Sequence, residues 1–313
     1  MDRVGGMLAF VRAAEAGSLT GAAETLGLTA SAVSKAILRL EERLGVQLLL
    51  RNSRRLSLTD DGALFLERCK RVLAEIEAAE DAIAEARGEM PRGRLRVSLP
   101  VAFGRLHVLP LLQEYLAQNP AVALDLTFED EFTDLIGEGV DVAVRMTRND
   151  PPDSRLLARR LATSFLVVCG SPAYLARAGV PGTPDDLRTH DCMGFVHSGR
   201  PYDYRLRTAG KLAGNLAVRG RLCANNGEAL RDAALAGLGL AQLHSYIAGP
   251  EIEAGRLRPV LLGHVADSVA INLVHPRQRH ASARVRSLVA FLVERVRDPA
   301  AWNAFMARGR SGH

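Results

Sequence analysis

Cysteine is scarce and unclustered in this chain. Its four thiols, Cys69, Cys169, Cys192 and Cys223, lie far apart and form no Cys-x-x-Cys. That spacing argues against a disulfide scaffold or a zinc cluster and leaves them as small buried hydrophobes. The eight histidines include no His-Glu-x-x-His, so no metal site is expected. No Gly-x-Ser-x-Gly elbow, Walker loop or dinucleotide Gly-x-Gly-x-x-Gly is present, and Gly237-Leu-Gly239 is too short to count. Catalysis and a bound cofactor are therefore not expected. No apolar stretch approaches the length of a membrane span, and the N-terminus has no charged region followed by an apolar run. The expectation is a cytoplasmic protein without membrane contact.

What is present is enough for two or three globular units. The chain has 313 residues, of which 48% are hydrophobic, so sizeable cores can form. A net charge of +5 suits nucleic-acid contact but is weak evidence alone. The informative stretch runs from Ser18 to Leu58. Ser18 and Thr29 each precede an apolar-periodic segment, where a side-chain oxygen can accept from an orphan helix N–H. Gly27 stands between the two segments where a tight turn must form. Ala22, Ala23 and Leu26 give the first helix one apolar face, and Val33, Ile37, Leu40 and Leu44 give the second a stripe. The opposite face of that second helix then carries Ala30, Ser31, Ser34, Lys35 and, one turn on, Arg39. Small residues followed by hydroxyls and cations are what a helix needs to enter a DNA major groove closely and still bond to it.

A two-stranded wing is expected next, with Gln47–Leu50 and Leu56–Leu58 as strands and a basic turn from Arg51 to Arg55. Between Lys35 and Arg55 six basic residues (Lys35, Arg39, Arg43, Arg51, Arg54, Arg55) face two acidic ones, Glu41 and Glu42. Phosphate contacts from Arg51, Arg54 and Arg55 would supply affinity without reading sequence. Thr59 and the acids Asp60 and Asp61 then open a long helix reaching about residue 87. Its apolar positions Phe65, Cys69, Val72, Ile76, Ala79 and Ile83 are spaced 4, 3, 4, 3 and 4. That heptad seam is narrower than a globular core requires and points to self-association, which would present two recognition helices to two half-sites.

Gly88 to Gly93, with Pro91, reads as a hinge, after which strands and helices alternate. Strands are expected at 94–99, 122–128 and 140–145, with a helix from about Gly104 to Gln118. A second α/β unit begins near Ala162. It has a strand at 164–169, helices after Ser171 and from Asn226 to Gly237, and a late strand at 238–243. A strand at 269–274 and a helix from Ser282 to about residue 297 return to the first unit.

The chain resembles LysR-type transcriptional regulators. The resemblance rests on Ser18-Leu-Thr-Gly-Ala-Ala, Ala30-Ser-Ala-Val-Ser-Lys-Ala-Ile, Leu40-Glu-Glu-Arg-Leu-Gly45 and Arg54-Arg-Leu-Ser-Leu-Thr-Asp-Asp-Gly62. It continues in Ala143-Val-Arg145, Gly170-Ser-Pro-Ala-Tyr-Leu175 and Ala224-Asn-Asn-Gly227. It implies an N-terminal all-α winged helix-turn-helix at 1–59, a linker and dimerisation helix with hinge at 60–90, and a C-terminal two-lobed α/β effector domain at 91–300. That domain would resemble type 2 periplasmic binding proteins, with lobe I at about 91–161 and 265–300, lobe II at about 162–264, and 301–313 as a tail. The family's groove-reading residues map to Ala30, Ser31, Ser34 and Lys35, and Ala30 departs from the polar residue many members carry. The implied partners are double-stranded operator DNA, a small organic effector, a second or further copy of the chain as dimer or tetramer, and RNA polymerase if the protein activates.

Ligands of open α/β units bind beyond the carboxyl ends of strands. That rule selects Pro100, Val101, Ala102 and Phe103, then Glu129 and Asp130, then Arg145 and Met146. The other lobe contributes His197, Ser198 and Gly199, with Asn225, Asn226 and Gly227 at a helix start that favours anions. Arg145 could hold an effector carboxylate or pair internally with Glu129 or Asp130, and the sequence leaves the two readings equal. The apolar loop from Pro100 to Phe103, where many relatives begin with a hydroxyl, leans toward a partly hydrophobic or aromatic effector. His244 reads as a buried, satisfied imidazole or a helix cap, and His107 as facing solvent or a dimer partner. Two other functions stay open: a small-molecule-binding or enzymatic protein with a vestigial DNA module, and an architectural DNA binder without an effector.

Overall fold

Helices α1 (Arg3–Ala16), α2 (Leu19–Leu26) and α3 (Ala30–Leu44) begin and end where local chemistry dictates. The Ser18 hydroxyl accepts from Gly21 N at 3.0 Å, and the Thr29 hydroxyl from Ala32 N at 3.2 Å. Each such cap is worth about 1 kcal/mol. Gly27 closes α2 at φ 63°, a left-handed conformation that glycine adopts without penalty, and Leu28 N donates back to Ala23 O at 2.9 Å. The structure is a computed structural model describing residues 3–52, 55–86, 90–130, 134–147, 155–197, 199–208, 211–216, 220–266, 268–277, 282–296 and 302–306.

Helix α1 carries no signal in the sequence reading. Its centre, Met7 to Val11, is a run of five apolar residues and therefore has no readable period. It supplies Ala9, Phe10, Val11 and Ala13 to a core shared with Ala22, Ala23, Val33, Ala36, Ile37 and Leu40. Leu44, expected on the buried stripe, is 38% exposed, because α3 is already ending there.

Strands β1 (Leu49–Asn52) and β2 (Arg55–Leu58) pair antiparallel, with Leu49 opposite Leu58 and Asn52 opposite Arg55. The expected turn is thus shorter than read, and Arg51 and Arg55 belong to strands. Glu41 ties this wing to α3 by accepting from Leu48 N at 2.8 Å and Leu49 N at 3.0 Å. Helix α4 (Asp60–Ala86) follows. Thr59 caps it, accepting from Gly62 N and donating to Gln47 O. Gly62 is required because a Cβ there would collide with the Leu48 carbonyl.

The chain divides into two units, residues 1–90 with 279–283, and 91–278 with 284–313. The second unit opens with β3 (Gly93–Leu99), a short α5 (Val101–Phe103), a π-helical turn at Gly104–Val108 and α6 (Leu109–Gln118). Strands β4 (Val122–Phe128), β5 (Val142–Thr147) and β6 (Leu156–Ser164) come next. Then follow β7 (Leu166–Gly170), α7 (Pro172–Ala178), β8 (Cys192–His197) and β9 (Arg200–Pro201). A separate hairpin is made by β10 (Tyr204–Thr208) and β11 (Lys211–Leu216). The order continues with β12 (Cys223–Ala224), α8 (Gly227–Leu235), β13 (Leu240–His244) and α9 (Ser245–Glu253). It closes with β14 (Arg258–Val260), β15 (Val269–Pro276) and α10 (Ala283–Arg295).

Two sheets result. The first has the order β4-β3-β5-β15-β6 and the second β12-β8-β13-β7-β14 with β9 beside β8. Pairings of β3 with β4 and β5 are parallel, whereas β15 runs antiparallel to both β5 and β6. The chain leaves the first sheet between β6 and β7 and returns between β14 and β15, so two lobes share crossing connections. Strand β6 escapes the sequence reading because Arg159 and Arg160 interrupt its apolar pattern on an exposed sheet edge. Residues 302–306, at the start of the expected tail, are helical and bury Phe305 and Met306 against Val167.

Candidate nucleic-acid interface and effector cleft

The first candidate site is the outer face of α3. Its buried side is Val33, Ala36, Ile37 and Leu40, which leaves Ser31, Lys35, Leu38 and Arg39 exposed and Ser34 half-buried at the margin. Ala30 is half-buried and packs on the helical core, so its methyl is partly used internally. The strands carrying Arg51 and Arg55 continue from α3 through the Glu41 anchor. The side chains of those two arginines, and the whole of Arg54, lie outside the described residues. The sequence reading counted Glu41 only as a charge against DNA; the structure gives it the task of fixing the wing.

On α4 the expected seam divides. Phe65 sits 5.7 Å from the Phe10 ring, and Cys69 is 1% exposed in the helical core of its own unit. These first two positions are turned inward because α1 lies beneath them. Val72 and Ile83 are 44% and 58% exposed, Ala79 is exposed and Ile76 half-buried. The Cys69 thiol, pushed up to about 11 by burial, is a packing residue and not a thiolate.

The second candidate site lies at the carboxyl ends of β3, β4 and β8. Pro100 follows β3, and the Val101 N–H donates to Asp130 Oδ1 at 3.0 Å, joining the loops after β3 and β4. Burial raises the Asp130 carboxyl, against the Val101 N–H and the charges of His197 and Arg145. His197 ends β8 and stacks on Tyr202 at 5.5 Å. Ser198 lies outside the described residues. Phe103 and Ala102 depart from the expectation that they line a cleft. They are 0% and 6% exposed, because the helical turn after Pro100 rotates them into the core. Gly104 allows that turn to sit on β3, since a Cβ would come 2.6 Å from Leu99 Cβ and 3.1 Å from the Phe128 ring.

Arg145 resolves in favour of its internal reading. Strand β5 extends to Thr147, so Arg145 and Met146 lie within it and not after it. The Arg145 guanidinium is 7% exposed and donates to Glu129 Oε1 at 3.1 Å, Ser98 Oγ at 2.7 Å and Val144 O at 3.0 Å. Ser98 in turn donates to Glu129 Oε1 at 2.6 Å. Burial lowers the Arg145 pKa and the Glu129 carboxylate opposes that shift. At the start of α8, Asn226 Oδ1 accepts from Glu228 N and Ala229 N, each at 2.9 Å. Two of the helix N–H groups expected to meet an anion are thus already engaged.

Contacts between the lobes were not legible in sequence. Arg105 of the π-helical turn donates through Nε to Glu228 Oε2 at 3.0 Å and through its second terminal nitrogen to Oε1. His107 contradicts its solvent-facing assignment. Its Nε2 meets Tyr246 O at 3.2 Å, and its ring lies 4.8 Å from Trp302 and 5.2 Å from Phe103. The π turn brings His107 over Phe103, and burial lowers its pKa. The one available signal was the aromatic pair Phe103 and His107 four residues apart.

His244 is half-buried, its Nδ1 3.1 Å from Ser164 Oγ and its ring stacked on Tyr246. It stands at the N-cap of α9 without a side-chain capping bond, so the satisfied-imidazole reading holds. Burial pushes its pKa down from 6.5 to about 4. A depressed histidine pKa means the unfolded chain binds the proton first, so stability is full near pH 7 and is lost as pH falls from 6.5 toward 4. We expect about 2 kcal/mol of loss between pH 7 and pH 5 from this group, and His244→Gln should remove that part of the pH dependence. Urea midpoints of both chains at the two pH values check it; equal pH dependence in both would refute the assignment.

A winged helix-turn-helix joined to a two-lobed α/β unit defines a class: DNA-binding regulators with a domain for a small ligand. The comparisons agree. Residues 6–63 match the family described as bacterial regulatory helix-turn-helix protein, lysR family, and residues 88–297 match the LysR substrate binding domain. An HTH-type transcriptional regulator of Xanthomonas campestris pv. campestris is 38% identical over 294 residues, covering 92% of this chain and 84% of that one. The regulator PtxR of Pseudomonas aeruginosa is 36% identical, with 94% and 93% covered. The solved structure of CrgA, a LysR-type regulator from Neisseria meningitidis, is similar at 32% identity and a TM-score of 0.61, covering 95% of this chain and all of that chain. The chain therefore belongs to the LysR family: it is a DNA-binding transcriptional regulator with a C-terminal effector-binding domain.

Proposed function

We propose that this regulator reads operator DNA with Ser31, Ser34, Lys35 and Arg39 of α3, with Ala30 giving a methyl contact and Arg51, Arg54 and Arg55 holding phosphates. The observation that carries this is α3 itself, capped by Thr29 and anchored by Val33, Ala36, Ile37 and Leu40, with its hydroxyl and cationic face left exposed. The protein acts in the cytoplasm, without catalysis, as a dimer or tetramer, and touches RNA polymerase if it activates. Exposure of Val72, Ala79 and Ile83 supports pairing through the outer part of α4. No helix among the described residues is long and apolar enough to cross a membrane.

The effector binds between the lobes, against Pro100, Val101, Asp130, Met146, His197 and Gly227. Because Arg145 and the α8 N-terminus are internally engaged, the ligand is a neutral or partly apolar molecule and not a small carboxylate. Effector binding changes the lobe angle, and through it the spacing of paired winged helices on DNA. A thermal-shift screen of a metabolite library on the full chain, followed by footprinting with each hit, tests this. At least one compound should raise the melting temperature and alter the footprint. No shift with any compound, together with unchanged footprints, would favour the architectural reading.

A further inference from the structure

We propose that Leu38 reads a thymine methyl group in the operator's major groove. The inference rests on the DNA-binding reading of α3 and adds a residue to it. Leu38 is 43% exposed in a helix whose other large apolar residues over the same turns are buried. It follows Ser31 by seven residues, which places it about 20° from Ser31 around the helix and about 10.5 Å further along the axis. It also follows Lys35 by three residues, one turn on. Leu38 therefore continues the face that the serines and the lysine begin, opposite the stripe of Val33, Ala36, Ile37 and Leu40.

The displacement from Ser31 corresponds to roughly three base-pair steps at 3.4 Å each, so Leu38 meets different bases from those near the helix start. In the major groove only thymine presents an apolar group, its 5-methyl. An isolated leucine flanked by the exposed cations Lys35 and Arg39 fits that chemistry, with the cations available to backbone phosphates and the leucine to the base edge. Ala30, half-used by the protein core, weakens reading at the first position of α3; Leu38 supplies apolar reading two turns later.

The test uses the full chain and a duplex selected from a randomised library by the wild-type protein. Each thymine of the selected duplex is replaced in turn by deoxyuridine, which removes only the methyl. At one position in each half-site the replacement should weaken wild-type binding about fourfold, the worth of one buried methyl-sized group. Leu38→Ala should bind the parent duplex about as weakly and no longer distinguish thymine from deoxyuridine there, whereas Leu38→Met should retain the distinction. The melting temperature of Leu38→Ala should be unchanged, since the side chain is exposed. The proposal is overturned if no deoxyuridine replacement matters, or if Leu38→Ala discriminates as well as wild type. It is also overturned if Leu38→Ala changes the oligomeric state by light scattering, which would make this a protein contact. Selection that yields no consensus with the wild-type chain would remove the sequence-reading function itself, a different failure from equal binding of thymine and deoxyuridine.

Discussion

A Ser34→Ala/Lys35→Ala chain is expected to bind its selected operator about 100-fold more weakly than wild type, the loss of two base-edge contacts of 1–3 kcal/mol each. Its affinity for unrelated DNA should fall far less, because phosphate contacts from the wing remain. Both side chains lie off the buried stripe of α3, so the variant should fold normally. Fluorescence anisotropy with operator and unrelated duplexes measures the ratio. Protection of the same operator bases at the same protein concentration would defeat the groove assignment. The complementary variant neutralises Arg51, Arg54 and Arg55 to glutamine. It should weaken all DNA binding alike and reduce the salt slope by about 2.7, three phosphates at about 0.9 each. An unchanged slope would refute the wing contacts.

The second large effect concerns stability. Arg145→Ala removes the partner of Glu129 and Ser98 from a site where the arginine is 7% exposed and the glutamate side chain 23%. Breaking a largely buried pair from one side leaves an uncompensated charge and costs about 3 kcal/mol. For a unit of this size that is a melting temperature lower by roughly 6–12 °C without any ligand. Adding Glu129→Gln should recover most of the loss, because the stranded charge is then gone. A ligand-binding role for Arg145 predicts the opposite pattern, with unchanged melting of the free protein. If Arg145→Ala melts within about 2 °C of wild type, the ion pair is not structural and the arginine is available to an effector carboxylate.

The cysteines close a question raised by composition. Burial pushes Cys169 and Cys192 each up to about 12, so neither supplies a thiolate at neutral pH. The helix-turn-helix was legible because its signals are local. Ser18, Gly27, Thr29 and Gly45 act on backbone within a few residues of themselves, and all four do in the structure what their chemistry predicts. Helix α1 was not legible, because its apolar run has no period, although it builds the floor that orients α3.

The cleft shows the same division more sharply. The strands were read nearly to their ends, and the loops after β3, β4 and β8 do gather at one end of the sheets. Which side chains are available there could not be read, because availability depends on partners far away in sequence. Arg145 is taken by Glu129 and Ser98, 16 and 47 residues away. Phe103 is turned inward by a π-containing helical segment that Gly104 permits. Arg105 meets Glu228 across 123 residues.

Sequence by itself thus determined the identity of the DNA-reading module, the order of strands and helices, and the absence of known catalytic motifs. Each is set by hydrogen bonds and apolar spacing within a turn or two of the chain. Tertiary structure alone decided which α4 positions stay exposed, which charges in the cleft are already paired, and that Leu38 stands uncovered on α3. Those outcomes follow from burial, and burial is a property of what folds back over a residue, which no local pattern records.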